Sequence, residues 1–138
     1  MSRNMALEKV GRARVAYMLQ QRGWKVGEAF DDGYDLLAYH PKKSKKPCYI
    51  ELKTKDLENL SPTNNLIAPL TKTERSICTH IIVYVEPKGW VFIAKKENVL
   101  PPGGSIFAAL DKNRNLRQPK KGSKSFAPFK DRWDELFL

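Results

Sequence analysis

Cysteine and histidine are scarce in this chain, and acidic residues are outnumbered. The two cysteines, Cys48 and Cys78, form no C-x-x-C pair and have no histidine cluster near them. Neither a disulfide framework nor a zinc site is expected, and both are read as buried free thiols. The two histidines, His40 and His80, stand at the ends of extended segments without a carboxylate or serine partner at useful spacing. They are read as structural or surface residues. Long apolar runs are also missing. No stretch reaches the roughly 18 residues of a membrane-spanning helix, and the N-terminus has no signal-peptide core, so a cytoplasmic protein is expected. Gly103-Gly104 is not followed by Gly-Lys-Ser/Thr and makes no phosphate loop. No internal repeat is visible.

What the chain has in excess is positive charge. Lys and Arg number 25 against 15 Asp and Glu, giving a net charge of +10 and a pI near 9.7. Such an excess favours a polyanion, because neutralising phosphates releases condensed counterions. A basic soluble surface or a ribosomal-type RNA binder would show the same count. No long amphipathic basic helix points to a membrane surface. At 138 residues the chain is read as one domain with a real core, carrying a basic extension from about residue 101.

The pattern predicts a helix from Asn4 to Arg22, with Ala6, Val10, Ala13 and Tyr17 as one stripe and Gly23 as its stop. An extended segment runs from Trp24 towards Phe30, and Asp31-Asp32-Gly33 turns it. Residues 34–40 and 48–54 read as two strands joined by a lysine-rich turn. Residues 57–69 read as a loop. Thr71-Lys72-Thr73-Glu74 has the form of a capping box opening a helix to about Thr79. His80–Val85 is a β-branched and aromatic run of the kind buried on both faces, and Trp90–Ala94 is its hairpin partner. Beyond Pro101-Pro102-Gly103-Gly104 lies a basic, loop-like tract, residues 111–125. Phe126, Phe129, Trp133, Leu136 and Phe137 then suggest a short closing helix. The order is αβββαβ, an α/β fold with a mixed central sheet flanked by helices.

Chemistry concentrates on the first hairpin. Alternation along a strand turns Glu51 and Lys53 to one face while Ile50 and Leu52 face a core. A hairpin folded about Ser44 would set Asp35 opposite Lys53, with Glu51 one same-face step along. Two carboxylates and an ammonium then share one sheet face among apolar neighbours, a placement that is costly unless they bind something. Mg²⁺ takes oxygen ligands, often one or two carboxylates with waters and phosphate, so Asp35 and Glu51 suit it. Asp31 and Asp32 are read as a solvated turn. The same three residue types also arise as an exposed ion pair on an ordinary strand.

A helix followed by a hairpin carrying Asp35 and Glu51-Leu52-Lys53, then a helix and a strand, resembles the PD-(D/E)xK nuclease superfamily. Restriction endonucleases and archaeal Holliday junction resolvases share that fold, and the resemblance covers roughly residues 4–95. It implies a restriction endonuclease-like core. It also implies metal binding by Asp35, Glu51 and the carbonyl of Leu52, with Lys53 as the catalytic lysine. Mg²⁺, or Mn²⁺ in its place, would be the cofactor, and the product would carry a 5′-phosphate. Two positions depart from the pattern. Tyr34 stands where proline is usual, and Arg12 stands where many members carry a helix glutamate. Glu8, one turn earlier on the same face, replaces that glutamate only if the helix is shifted or longer.

Lys42, Lys43, Lys45 and Lys46 at the hairpin tip, with Lys112, Arg114, Arg117, Lys120, Lys121 and Lys124 in the tail, are candidates to grip a nucleic-acid backbone. For the tip a solvated turn is an equal reading; for the tail binding is favoured. The expectation is a Mg²⁺-dependent DNA endonuclease, structure-selective or a restriction or homing-type subunit, with a homodimer as the assembly that would cut both strands. The alternative is a catalytically silent binding module with the same fold. DNA and RNA are not separated at this level.

Overall fold

The computed structural model describes residues 3–29, 33–43, 46–60 and 65–137. Helix α1 (Arg3–Gln21) leads into β1 (Lys25–Glu28), β2 (Leu36–Tyr39) and the long β3 (Cys48–Asp56). After a short 3₁₀ turn come β4 (Leu66–Pro69), α2 (Lys72–Ile77), β5 (His80–Glu86), β6 (Trp90–Lys95) and the single-turn α3 (Lys96–Val99). Strand β7 (Ser105–Ala108) and two further 3₁₀ turns complete the order. The main sheet runs β1-β2-β3-β5-β6, antiparallel except where β3 pairs parallel with β5. A second, two-stranded sheet pairs β4 with β7.

The central strand is the most apolar segment. Ile81 to Val85 of β5 are all buried, because the sheet is covered on both sides. One face packs Ile50, Leu52, Ile82, Tyr84 and Ile93 against Val15 and Leu19 of α1. The other packs Ile81, Val83, Val85 and Phe92 under Leu66, Ala68, Ile106 and Ala108 of the small sheet.

Helix α1 buries a different face from the one expected. Val10 is 41% and Tyr17 61% exposed, and Ala6 and Ala13 lie beside them in solvent. The buried line is Gly11, Val15 and Leu19, at intervals of one helical turn. Gly11 leads it because the helix crosses β3 there: a β-carbon at that position would fall 2.0 Å from Thr54 Oγ1. Gly23 does end the helix, with φ of +89°. The capping box on α2 is present in full.

Two further expectations change. The stretch read as a loop, residues 57–69, contains β4, and β7 follows the Pro-Gly break. These two strands pair with each other and not with the main sheet. The aromatic tail folds as 3₁₀ turns at Ala127–Phe129 and Trp133–Phe137, not as an α-helix. Its aromatics serve separate contacts, with Phe126 against Phe92 and Phe137 stacked on Trp24.

The Gly11 crossing fixes how closely α1 approaches the sheet. Gly11→Ala should destabilise the chain by about 1–3 kcal/mol through overpacking, read as a lower denaturation midpoint. Thr54→Ala in the same chain should restore part of that loss. A midpoint unchanged by Gly11→Ala would mean that the helix does not rest on β3 there.

Candidate active site

Strand β3 continues past the end of β2, and the site lies where it does so. Leu36 pairs with Ile50, and one further ladder bond, from the Asp35 amide to the Ile50 carbonyl at 2.7 Å, closes the hairpin. The next amide along, that of Leu52, donates instead to Asp35 Oδ2 at 2.8 Å. The aspartate side chain therefore ends the ladder and leaves the outer edge of β3 unpaired by β2 beyond this point. A cleft of about 460 Å³ opens there, bordered by Leu7, Glu8 and Arg12 of α1, by Asp35, by Glu51 to Lys55, and by Ala68, Pro69 and Glu74.

The observed register places Leu36 opposite Ile50, whereas a fold about Ser44 with Asp35 opposite Lys53 would place Leu36 opposite Leu52. The displacement is two residues, which changes the neighbour but keeps the face. Ser44 and Lys45 lie outside the described residues, as do Asp31 and Asp32.

The structure brings Asp35, Glu51 and Lys53 together and adds a fourth group. Glu51 is only 3% exposed, and Lys53 Nζ stands 3.5 Å from its Oε1. The same ammonium is 3.4 Å from Oε1 of Glu74, which also accepts the Thr71 amide at 2.8 Å. Glu74 thus caps α2 and reaches the site with one carboxylate. In the sequence Glu74 reads only as the cap of α2, a role sufficient to explain it. Lys55 is the other omission; it is the next same-face position after Lys53 and borders the cleft.

These contacts decide who holds a proton. Burial pushes the Glu51 carboxyl up to about 9, helped by a hydrogen bond with Asp35, the charge of Asp35 and a hydrogen bond with Glu74. Lys53 opposes that shift without cancelling it. Burial alone would raise Glu74 as well, but the Thr71 amide, Glu51 and Lys53 together hold it below its ordinary value. Lys55 is lowered by burial and by the charge of Lys53.

Three carboxyl groups that must retain a proton to coexist are a fitting donor set for a hard divalent cation. Among the described residues, no group of three or more histidine, cysteine, aspartate or glutamate side chains is arranged as a metal cage. Asp35 and Glu51 would supply the one or two carboxylates that Mg²⁺ commonly takes, the rest of its shell being water. Glu8 and Arg12 both border the cleft from α1, so the helix position expected for an acid presents a guanidinium with a carboxylate one turn away.

The basic candidates lie apart from this cleft. Lys42 and Lys43 are exposed at the hairpin tip, where both backbone amides donate to His40 Nδ1 at 3.2 Å. Lys46 is exposed at the same end. In the tail Lys112, Arg117, Lys120 and Lys121 are exposed, Lys124 donates to the Glu97 carbonyl at 2.7 Å, and Arg114 donates to the Leu57 carbonyl. Cys48 and Cys78 are buried free thiols, and His40 and His80 are buried. Among the described residues, no helix is long and apolar enough to cross a membrane.

No protein-family model matches the chain, and no curated protein matches it. Solved structures do. A bacterial homing endonuclease, I-Ssp6803I, superposes with a TM-score of 0.72 at 15% identity, over 99% of this chain and 93% of that one. The chain has a restriction endonuclease-like fold. The Holliday junction resolvase Hjc of Archaeoglobus fulgidus aligns over 82% of this chain and 87% of its own, at 11% identity and a TM-score of 0.48. Within the restriction endonuclease-like fold, the open edge of β3 is where the four ionisable groups collect.

The proton on Glu51 has a measurable cost in metal-free protein. Its folded value, about 9, lies above the ordinary 4.5, so the folded state holds a proton that the unfolded chain has released. Stability is then lost as pH rises from 4.5 through 9, by up to about 1.4 kcal/mol per pH unit. Glu51→Gln should remove that slope. Melting in chelator across this range should show the variant's advantage growing with pH; a constant gap would contradict a buried protonated Glu51.

Proposed function

We propose that this chain is a metal-dependent endonuclease that hydrolyses DNA phosphodiester bonds. The observation that carries the reading is the convergence of Asp35, Glu51, Lys53 and Glu74 in one cleft on this fold. The overall likeness to a homing endonuclease supports the same class of reaction.

Asp35 and Glu51, with the Leu52 carbonyl, would hold Mg²⁺, and Mn²⁺ would substitute. Asp35 is oriented for this by the Leu52 amide. A bound divalent cation would supply a water of lowered pKa and offset charge gathering on the phosphate. Lys53, held between two glutamates, would bind a nonbridging phosphate oxygen or orient the attacking water. Water adds to phosphorus and the bond to the 3′ oxygen breaks, leaving a 5′-phosphate and a 3′-hydroxyl. The tip lysines and the basic tail would hold the duplex backbone on either side of the cleft. Cutting both strands requires two sites, which a homodimer would provide.

Arg12 favours a second reading. A guanidinium at the cleft border, where related sites place an acid, would suit a module that binds nucleic acid without cutting it. Incubating the chain with Mg²⁺ or Mn²⁺ and linear, branched, single-stranded and RNA substrates separates the two. Cleavage is expected, with Lys53→Ala and Asp35→Ala each reducing it at least about 100-fold. Tight binding without cleavage under either cation would establish the silent module instead.

A further inference from the structure

The geometry points to the open face of the β1–β2 ribbon as a base-reading surface for the major groove of duplex DNA. It rests on the proposed action on nucleic acid and assigns the part of the molecule that selects sequence.

Antiparallel pairing sets Lys25 opposite Tyr39 and Gly27 opposite Leu37, so these four share one face. Asp35 and Glu51 lie on that face too, because alternation brings residues 35, 37 and 39 to one side. The other side of the ribbon carries Trp24, Val26, Leu36 and Ala38 and is packed against α1. The shared face is bare: Leu37 is 37% and Tyr39 42% exposed, and Lys25 is exposed beside them.

Gly27 is the observation that turns a bare face into a contact surface. It sits inside a strand, where glycine weakens pairing and packs nothing. Its φ is outside the left-handed region that would call for glycine, and a β-carbon there would meet nothing within 4 Å. Neither backbone nor packing needs glycine at this position. A strand glycine with open space above it permits close approach of another molecule.

The chemistry of the face selects the occupant. B-form major grooves admit a two-stranded ribbon and display thymine methyls that apolar side chains contact. Leu37 and Tyr39 offer such contacts, and Lys25, with Lys42 at the tip, adds cations towards the phosphates. A-form RNA has a major groove too deep and narrow for this reading. The positions also match the site. At about 3.3 Å per residue, Tyr39 lies roughly 13 Å from Asp35, about four base pairs along a duplex whose phosphate sits in the cleft.

The test separates reading from cutting by using Lys53→Ala protein throughout. A randomised duplex DNA library is selected on this protein, on the same protein carrying Gly27→Trp, and on a version with Leu37→Ala and Tyr39→Ala. The starting protein should enrich a sequence a few base pairs from one site. Gly27→Trp should lose at least about tenfold in affinity for that sequence while keeping salt-sensitive binding to random DNA and an unchanged melting temperature. The double variant should lose its thymine preferences, and duplex RNA of the enriched sequence should compete no better than random DNA. Unchanged enrichment by Gly27→Trp, or no enrichment by the starting protein, would overturn the assignment. So would a change of oligomeric state on Gly27→Trp without change in DNA selection, which would make the face a protein interface. Cleavage by the chain with Lys53 intact is scored separately, so an inactive enzyme does not count for or against the ribbon.

Discussion

Strand β3 outlasts the strand beside it, and the rest of the site follows from that mismatch. Cys48 to Ile50 pair with β2 and Ile50 to Asp56 with β5, so from Glu51 onward only β5 remains. A central strand with one free edge can carry charges that a fully paired sheet would not solvate. Asp35 makes the transition, since its backbone closes the last rung of the hairpin and its side chain takes the next amide. Beyond the end of β2, β3 is anchored by its long parallel pairing with β5, whose Ile81 to Val85 are all buried. That part of β3 is thus held along one edge, with Glu51 buried and Lys53 and Lys55 bordering the cleft.

Everything that borders the cleft is placed by elements with a separate reason to be there. Helix α1 brings Glu8 and Arg12 to it because Gly11 lets the helix settle against Thr54. Helix α2 brings Glu74 because a capping box fixes that carboxylate at the helix start. The small sheet contributes Ala68 and Pro69 while covering the lower core. The pocket is therefore a meeting of four separately stabilised pieces. Its geometry is set by packing at a distance from the ionisable groups.

Much of this was legible in the sequence where local pattern and global fold agree. Glu51 and Lys53 had to share a face because strand alternation leaves no choice, and the β5 run could only be central. The two-residue register difference is of a different kind, since it depends on the geometry of the lysine-rich turn, which alternation does not constrain. The α1 stripe misled because Val10 and Tyr17 look like better core residues than Gly11. What burial selected there was the absence of a side chain. Glu74 escaped because one sufficient role conceals a second, and β4 escaped because the prolines and asparagines from Pro62 to Pro69 read as a loop.

The distribution of charge separates two dependences that are often treated together. Lys42 at the hairpin tip lies seven residues from Asp35, roughly 20 Å along the ribbon by strand rise. That exceeds the screening length of about 8–10 Å at ordinary ionic strength, so the tip and the acidic cluster are electrostatically almost independent. The tip and the tail offer sites for phosphate contact, and added salt should weaken what they contribute. The cleft is bordered by four carboxyls, Glu8, Asp35, Glu51 and Glu74, against Arg12, Lys53 and Lys55, and the proton on Glu51 brings the two signs into balance. On the proposed reading, attraction of a duplex and admission of one phosphate to the cleft would be distinct electrostatic events, the first governed by salt and the second by a cation and the proton on Glu51.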